Sequence, residues 1–318
     1  MSSSDDGVAP SADSDAPTIG DGEDDRRNLT STERRLDALA RRLLGSAPRH
    51  SARARLLEFL VFGAKQAWAC VFGALLLVAI VAARLWWPDD APLARNDLLV
   101  IVAALLQIAM LVFKLETVRE LWVVLVFHVV GTAMELFKTD VGSWSYDEGG
   151  LLRIGGVPLF TGFMYAAVGS YLTRVMRLFD LRFTHYPPLW VTVPIAALVY
   201  LNFFAHHFVW DARWVLLALV LVVFGRCMMH FRVYRNTYRM PVLVAFGLVA
   251  VFIWFAENIG TLVGAWAYPG QEHGWTLVST HKIVSWFLLM MISVVLVTLV
   301  HRPRPPDAER PAVGASGT

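Results

Sequence analysis

The sequence predicts an all-α fold: a polytopic membrane helical bundle of about eight transmembrane helices containing an internal parallel four-helix repeat. Three observations predict it. The 318-residue chain is 56% hydrophobic and only 17% charged, too little charge to cover a soluble globule of that length. Its apolar residues come in blocks approaching the roughly 20 that a helix needs to cross a bilayer. And the frame E-x-x-x-T-x-V-G-x-W-x-Y is written twice, as ELFKTDVGSWSY from Glu135 to Tyr146 and as ENIGTLVGAWAY from Glu257 to Tyr268, at a constant offset of 122.

The chain opens with an acidic, Ser/Asp/Gly/Pro-rich stretch from Met1 to about Asn28. It has no hydrophobic segment, so it is expected to be disordered and carries no secretory signal. Leu29, Leu36, Leu39 and Leu43 then stand among Arg34, Arg35, Arg41 and Arg42. This stretch reads either as a basic amphipathic helix on an anionic membrane face or as a solvated basic linker. Residues 1–55 form this tail, 56–302 the transmembrane domain, and 303–318 a second disordered tail.

Eight spans are expected: 60–83, 97–113, 118–138, 158–178, 187–207, 212–230, 240–262 and 279–300. Pro187-Pro188 and Pro241 suit helix starts, where a missing N–H leaves no bond unmade. With both termini cytoplasmic, nineteen Lys/Arg fall inside and six outside, the six being Arg84, Arg95, Lys138, Arg153, Arg213 and Lys282. The positive-inside rule therefore sets the orientation of a multi-pass protein of the bacterial inner membrane. Nucleic acid is not an expected partner, because the basic residues segregate by side of the membrane.

The offset of 122 also maps 187–207 onto 65–85, 240–262 onto 118–140 and 279–300 onto 157–178, with 212–230 falling loosely on 90–108. The repeat halves are thus about 60–178 and 187–300. An even number of spans per half keeps its orientation, which makes the repeat parallel.

Glu135 and Glu257 lie inside their helices, where a carboxylate is costly and faces the bundle interior. They are the candidate catalytic acids, with His128 two turns before Glu135 on the same helix face. Trp144, Tyr146, Trp266 and Tyr268 read either as interfacial aromatics or as the walls of a ligand cavity. Tyr165 and Asn258 complete the candidate ligand-binding set. Thr161 and Ser170 add hydroxyls to the fourth span, and Gly162 and Gly169 permit close helix contact. His206, His207 and Asp211 have no second ligand cluster to support a metal, so neither metal nor cofactor is expected. Cys70 and Cys227 read as buried small residues.

The stretches RIGGVPLFTGFMYAAVGSYLTRVMRLFDLRF, NFFAHH and WFAENIGTLVGAWAYPGQ resemble a bacterial integral-membrane family known as domain of unknown function 817, over about 60–300. That resemblance implies a membrane location and no assigned activity. Gly142-Ser143-Trp144-Ser145-Tyr146 followed by Gly156-Val157-Pro158 is also similar to membrane enzymes of carotenoid synthesis, the lycopene-cyclase and hydratase type. Those enzymes protonate an alkene with a carboxylic acid. Where they carry an acidic pair after the helix-start proline, this chain has Leu159-Phe160, which leaves Glu135 and Glu257 as the acids.

Three function classes remain open at this point. The first is an intramembrane acid-catalysed enzyme or binding protein for an isoprenoid-like, apolar lipid. The others are a proton-coupled transporter and a non-catalytic membrane scaffold. No oligomeric state follows from the sequence.

Overall fold

The computed structural model describes residues 52–306, apart from 148, 235 and 272, together with 29, 30, 33–35, 38 and 42. The stretches 1–28 and 307–318, expected to be disordered, lie outside the described residues, as does most of the basic stretch before residue 52.

Nine helices and five short strands follow in order among the described residues from 52 onward. They are α1 (Ala52–Ala69), α2 (Val71–Trp86), α3 (Arg95–Val112), α4 (Val118–Asp140), β1 (Arg153–Ile154), β2 (Val157–Pro158), α5 (Phe160–Leu178), β3 (Arg182–Thr184), α6 (Leu189–Ala205), α7 (Arg213–Phe224), β4 (Met228–Arg232), β5 (Thr237–Pro241), α8 (Val242–Leu262) and α9 (His281–Val300). Each of the eight expected spans contains a helix. Four helices, α3, α4, α8 and α9, are long and apolar enough to cross a membrane, and α1–α2 makes a fifth if that bent pair is one span.

Three features depart from the expectation. The segment 60–83 is not one straight helix: α1 and α2 meet at Cys70 with a bend of 64°. The segment 212–230 is not helical throughout. Its helix stops at Phe224, and Met228–Arg232 is the central strand of an antiparallel sheet ordered β3-β4-β5. Nor is the fold purely α, since β1 and β2 form a second, two-stranded hairpin. The strands occupy the ends of the bundle, where backbone polar groups left over by the helices find partners.

Local chemistry explains the helix limits. Thr117 and Glu120 form a reciprocal capping box at the start of α4, satisfying two orphan N–H groups. Pro188 and Pro241 stand at the N-caps of α6 and α8. At the other end of α4, Gly142 adopts φ +71°, Val141 N bonds Phe137 O, and Ser143 N bonds Lys138 O at 2.8 Å. At the end of α8, Gly264 adopts φ +68°, Val263 N bonds Ile259 O, and Ala265 N bonds Gly260 O at 2.9 Å. The two helices therefore terminate with the same left-handed glycine and the same bonds, position for position.

The helices run alternately between two ends, one carrying these turns and one carrying the three-stranded sheet. α5 is the central helix, packed against α1, α2, α3, α4 and α9. Being surrounded, it can bury polar groups: Thr161, Ser170, Thr173 and Arg174 are all inaccessible. Its contact with α4 is close because glycines line both sides. A Cβ at Gly131 would meet Tyr165 at 2.4 Å, and one at Gly162 would meet His128 at 2.6 Å.

Arg174 ties the bend of α1–α2 to this centre. Its guanidinium donates to Trp68 O at 3.2 Å, beside the break, and to Leu115 O at 3.2 Å. It also faces Glu116 at 3.7 Å, both side chains being fully buried. Glu116 in turn accepts from Gln107 Nε2 at 2.6 Å and from Ser170 Oγ. One apolar core lies among α4, α6, α7, α8 and α9 and a second among α2, α3 and α5. Large apolar side chains such as Val118, Trp122, Val129, Val222 and Phe255 are exposed, the inverted surface of a protein solvated by lipid.

Candidate functional site

Between these two cores lies a chamber of about 1020 Å³, at the upper end of the range for small-molecule sites. Its walls are mostly apolar and come from α1, α2, α4, α5, α6, α8, α9 and the first residue of α7, together with the two turns. The break at Cys70 is part of the wall, as are Gln66, Ala67, Gly73 and Ala74 on either side.

Glu135 and Glu257 both line this chamber, each almost completely buried. Glu135 Oε2 accepts from Trp144 Nε1 at 2.7 Å and Tyr146 OH at 2.6 Å, and Oε1 accepts from Tyr165 OH at 2.7 Å. Glu257 Oε1 accepts from Tyr268 OH, and Oε2 accepts from Trp286 Nε1 at 2.6 Å. Each carboxyl group thus reaches over the end of its own helix to the tyrosine of its own turn. Bonds of this kind offset the desolvation of a buried acid. Burial, followed by the adjacent carboxylate, pushes the hydroxyls of Tyr146 and Tyr268 well above the usual phenol range, so both act as neutral donors.

The two turns also pair with one another. Ser145 and Ala267 form an antiparallel bridge, and the Trp144 ring meets Tyr268 edge-on at 6.0 Å. Trp266 lines the chamber and packs over Gly260, where an added Cβ would come within 2.2 Å of its ring.

Two expected site residues stand apart. His128 does not line the chamber; its ring is wedged against Gly162 and Phe163 between α4 and α5, 4.7 Å from the phenylalanine centroid. Seven residues bring it to the face of Glu135, but two turns of helix carry it down into the α4–α5 packing. Asn258 is also outside the lining. Its amide donates to Trp254 O at 2.8 Å and its carbonyl accepts from Val278 N at 2.9 Å, fastening the loop before α9 onto α8.

Two participants, Trp286 and Lys282, escaped the sequence reading of the site, and Lys138, three residues after Glu135, joins them there. Trp286 replaces, for Glu257, the donor that Tyr165 supplies to Glu135. An indole N–H inside an apolar helix needs an acceptor, and that was the available signal. Lys282 holds its ammonium 4.0 Å from the Tyr268 centroid and 5.3 Å from Trp144, a cation–π placement between the two turns. Lys138, almost fully buried, brings Nζ to His207 Nε2 at 2.8 Å and His206 Nε2 at 3.4 Å.

His206 Nδ1 lies 3.0 Å from Asn202 O, which assigns that nitrogen as the donor and leaves Nε2 to accept from Lys138. Burial, then the Lys138 charge, holds both imidazoles below their ordinary range, in keeping with neutral acceptors. Asp211 lies on the low side of the carboxylate range: burial opposes this, and hydrogen bonds from Asn202 and the Arg213 backbone outweigh it.

Comparison with known proteins finds one family match, over residues 58–294, to the model described as "Protein of unknown function (DUF817)". The "Uncharacterized protein YoaT" of Bacillus subtilis (strain 168) is 44% identical over 236 residues, which cover 74% of this chain and 89% of that protein. Among solved structures, a mycobacterial Insig homologue, MvINS from Mycobacterium vanbaalenii, aligns at a TM-score of 0.44 and 14% identity. A cross-linked trimer of MvINS aligns at the same TM-score and 15% identity. Both alignments cover 59% of this chain and 98% of theirs.

Proposed function

The chain belongs to DUF817, a family of proteins of unknown function, and from that premise we propose that it is an intramembrane binding protein for an apolar, isoprenoid-like lipid. The observation that carries this reading is the chamber itself: about 1020 Å³, mostly apolar, with both buried carboxylates in its wall. Such a space is suited to an extended hydrocarbon whose few polar atoms meet a small set of fixed groups. The isoprenoid class is suggested only by the resemblance of Gly142–Tyr146, followed by Gly156-Val157-Pro158 ahead of α5, to membrane enzymes of carotenoid synthesis.

The carboxylates serve this binding reading better than acid catalysis. Both oxygens of Glu135 and of Glu257 already accept hydrogen bonds. With three donors on Glu135 and two on Glu257 out of about four acceptor positions each, the hydrogen bonds fix both groups in the wall, as a binding site requires.

The protein is proposed to sit in the bacterial inner membrane with both termini cytoplasmic and with eight crossings, α1–α2 counting as one. Its halves, about 60–178 and 187–300, derive from a parallel four-helix repeat. The matching ends of α4 and α8 and the distribution of nineteen Lys/Arg against six support this. Extraction of lipid from the purified protein, compared with lipid profiles of strains with and without the gene, tests the function. An apolar lipid enriched on the protein and altered in the deletion strain is expected; protein free of such lipid contradicts the reading.

A second reading, transport, draws on one specific feature, the broken α1–α2 pair in the chamber wall. Interrupted helices line the substrate sites of many transporters. Lipid or proton flux in proteoliposomes would distinguish it, because a static binding protein gives none.

A further inference from the structure

The chamber has a chemically distinct end. Where α4, α6, α7 and α9 meet near the two turns, Lys138, Lys282 and Arg213 all face the chamber, and Lys138 lies within electrostatic reach of the other two. Three cations gathered at one end of a mostly apolar space repel one another, Lys138 being buried and Lys282 and Arg213 partly so. Their present partners compensate them only in part. Lys138 meets two neutral imidazoles and, at 4.3 Å, the Phe203 ring face. Lys282 meets ring faces, with no hydrogen-bond acceptor among the described residues. Arg213 meets Asp211 at 3.3 Å, a carboxylate already accepting from Asn202 and from the backbone. The two buried glutamates lend long-range attraction to Lys282, but their oxygens are bound to tryptophan and tyrosine donors.

Away from this end the chamber is apolar and continues toward the sheet end. A smaller apolar cavity of about 150 Å³ shares Phe62, Gln66, Tyr171, Leu248 and Val249 with it. A ligand that satisfies both ends must carry a hydrocarbon chain and a negatively charged head.

We propose that Lys138, Lys282 and Arg213 seat the oxyanion head of a single-chain amphiphile, a phosphate or carboxylate, whose chain fills the apolar length of the chamber. The proposal rests on the lipid-binding reading and adds the head-group class to it. The oxyanion would accept from two ammonium groups and a guanidinium, relieving their mutual repulsion while the chain stays out of water. The imidazoles of His206 and His207 hold Lys138 in place without adding charge.

The test is a titration of the purified full-length protein in detergent, read by tryptophan fluorescence, since Trp144 and Trp266 line the site. The probes are farnesyl phosphate and farnesol, palmitate and hexadecanol, and inorganic phosphate. Each acid is expected to bind at least about ten-fold more tightly than its matched alcohol, the contribution of one or two charge-assisted bonds. Inorganic phosphate should fail to compete at concentrations where farnesyl phosphate saturates. Lys138→Gln and Arg213→Gln should each remove most of the acid-over-alcohol advantage while leaving the alcohol affinity within about two-fold, and Lys138→Arg should restore it. The wild-type comparison needs no variant to fold.

Equal affinity for acid and alcohol, or an advantage untouched by both substitutions, overturns the head-group seat and leaves lipid binding standing. Competition by inorganic phosphate at matched concentration overturns it in favour of a soluble anion. Absence of binding by every lipid probe overturns both the seat and the lipid-binding reading.

Discussion

Ser145 and Ala267 occupy equivalent positions of the two turns, and each donates its N–H to the other's carbonyl at 3.0 Å. The two bonds are those of a hydrogen-bonded antiparallel pair, made between positions 122 residues apart. The pair joins the two turns whose tyrosines donate to Glu135 and Glu257. Replacing Ala267 by Pro deletes one N–H of the pair. Amide exchange at Ser145 is expected to accelerate by about ten-fold, the loss of roughly one hydrogen bond. Ala267→Gly, which retains both bonds, should leave Ser145 protected.

Glu135 receives three donors and Glu257 two. A glutamine at either position turns an N–H₂ group toward donors and strands at least one of them. Each substitution is expected to cost about 2–3 kcal/mol, with Glu135→Gln the more damaging, read as the loss of thermal stability in detergent. Equal, negligible losses would mean that these bonds do not hold the turns in place.

Gly260 lies beneath the Trp266 ring. Gly260→Ala forces the indole to move toward the chamber, at a cost of about 1–3 kcal/mol for an overpacked contact. A shifted Trp emission maximum together with a lower unfolding temperature is the expected outcome. Gly247, where an added Cβ meets nothing within 4 Å, provides the matched control.

The ion pair of Arg174 and Glu116 is buried and tied to the α1–α2 break. Arg174→Met leaves Glu116 without its counter-charge and is expected to cost about 3–5 kcal/mol. Adding Glu116→Leu should recover a large part of that loss. A double variant as unstable as the single one would indicate that the Trp68 carbonyl bond, and not the ion pair, is the main contribution.

His206 and His207 have folded-state pKa values below their ordinary value, first through burial and then through Lys138. The unfolded chain therefore binds more protons near pH 6, and stability rises with pH. Their contribution is fully present above about pH 6.5, the unfolded value, and is lost as pH falls through the folded-state values. Thermal unfolding between pH 5 and 8 should show that slope, and it should flatten in a His206→Ala/His207→Ala variant.

Much of this site was legible because the duplicated frame marks it. Glu135, Glu257 and the Trp and Tyr of each turn announce themselves as polar or interfacial residues at matched positions. What was not legible lies outside the frame. Trp286 stands 122 residues after Met164, so the offset of the two frames gives no hint of it. The break at Cys70 has neither Gly nor Pro at the junction; Arg174, more than a hundred residues away, bonds the carbonyl beside it. His128 and Asn258 misled for the opposite reason. Their polar atoms point to function in a sequence, yet packing on Gly162 and backbone bonds to Trp254 and Val278 absorb them. The sixth span was misjudged because Met228–Arg232 is apolar enough to extend a helix, and only pairing with β3 and β5 shows it to be a strand.

The central claim is that the space flanked by Glu135 and Glu257 holds a lipid chain. Native mass spectrometry of the protein released from detergent tests it directly, comparing wild type with Ala256→Phe, which fills the chamber from its α8 wall and alters neither carboxylate. The account predicts one apolar lipid adduct per chain on the wild type and its loss from the folded Ala256→Phe protein. A wild-type protein without adduct, or an adduct retained undiminished by Ala256→Phe, would contradict it.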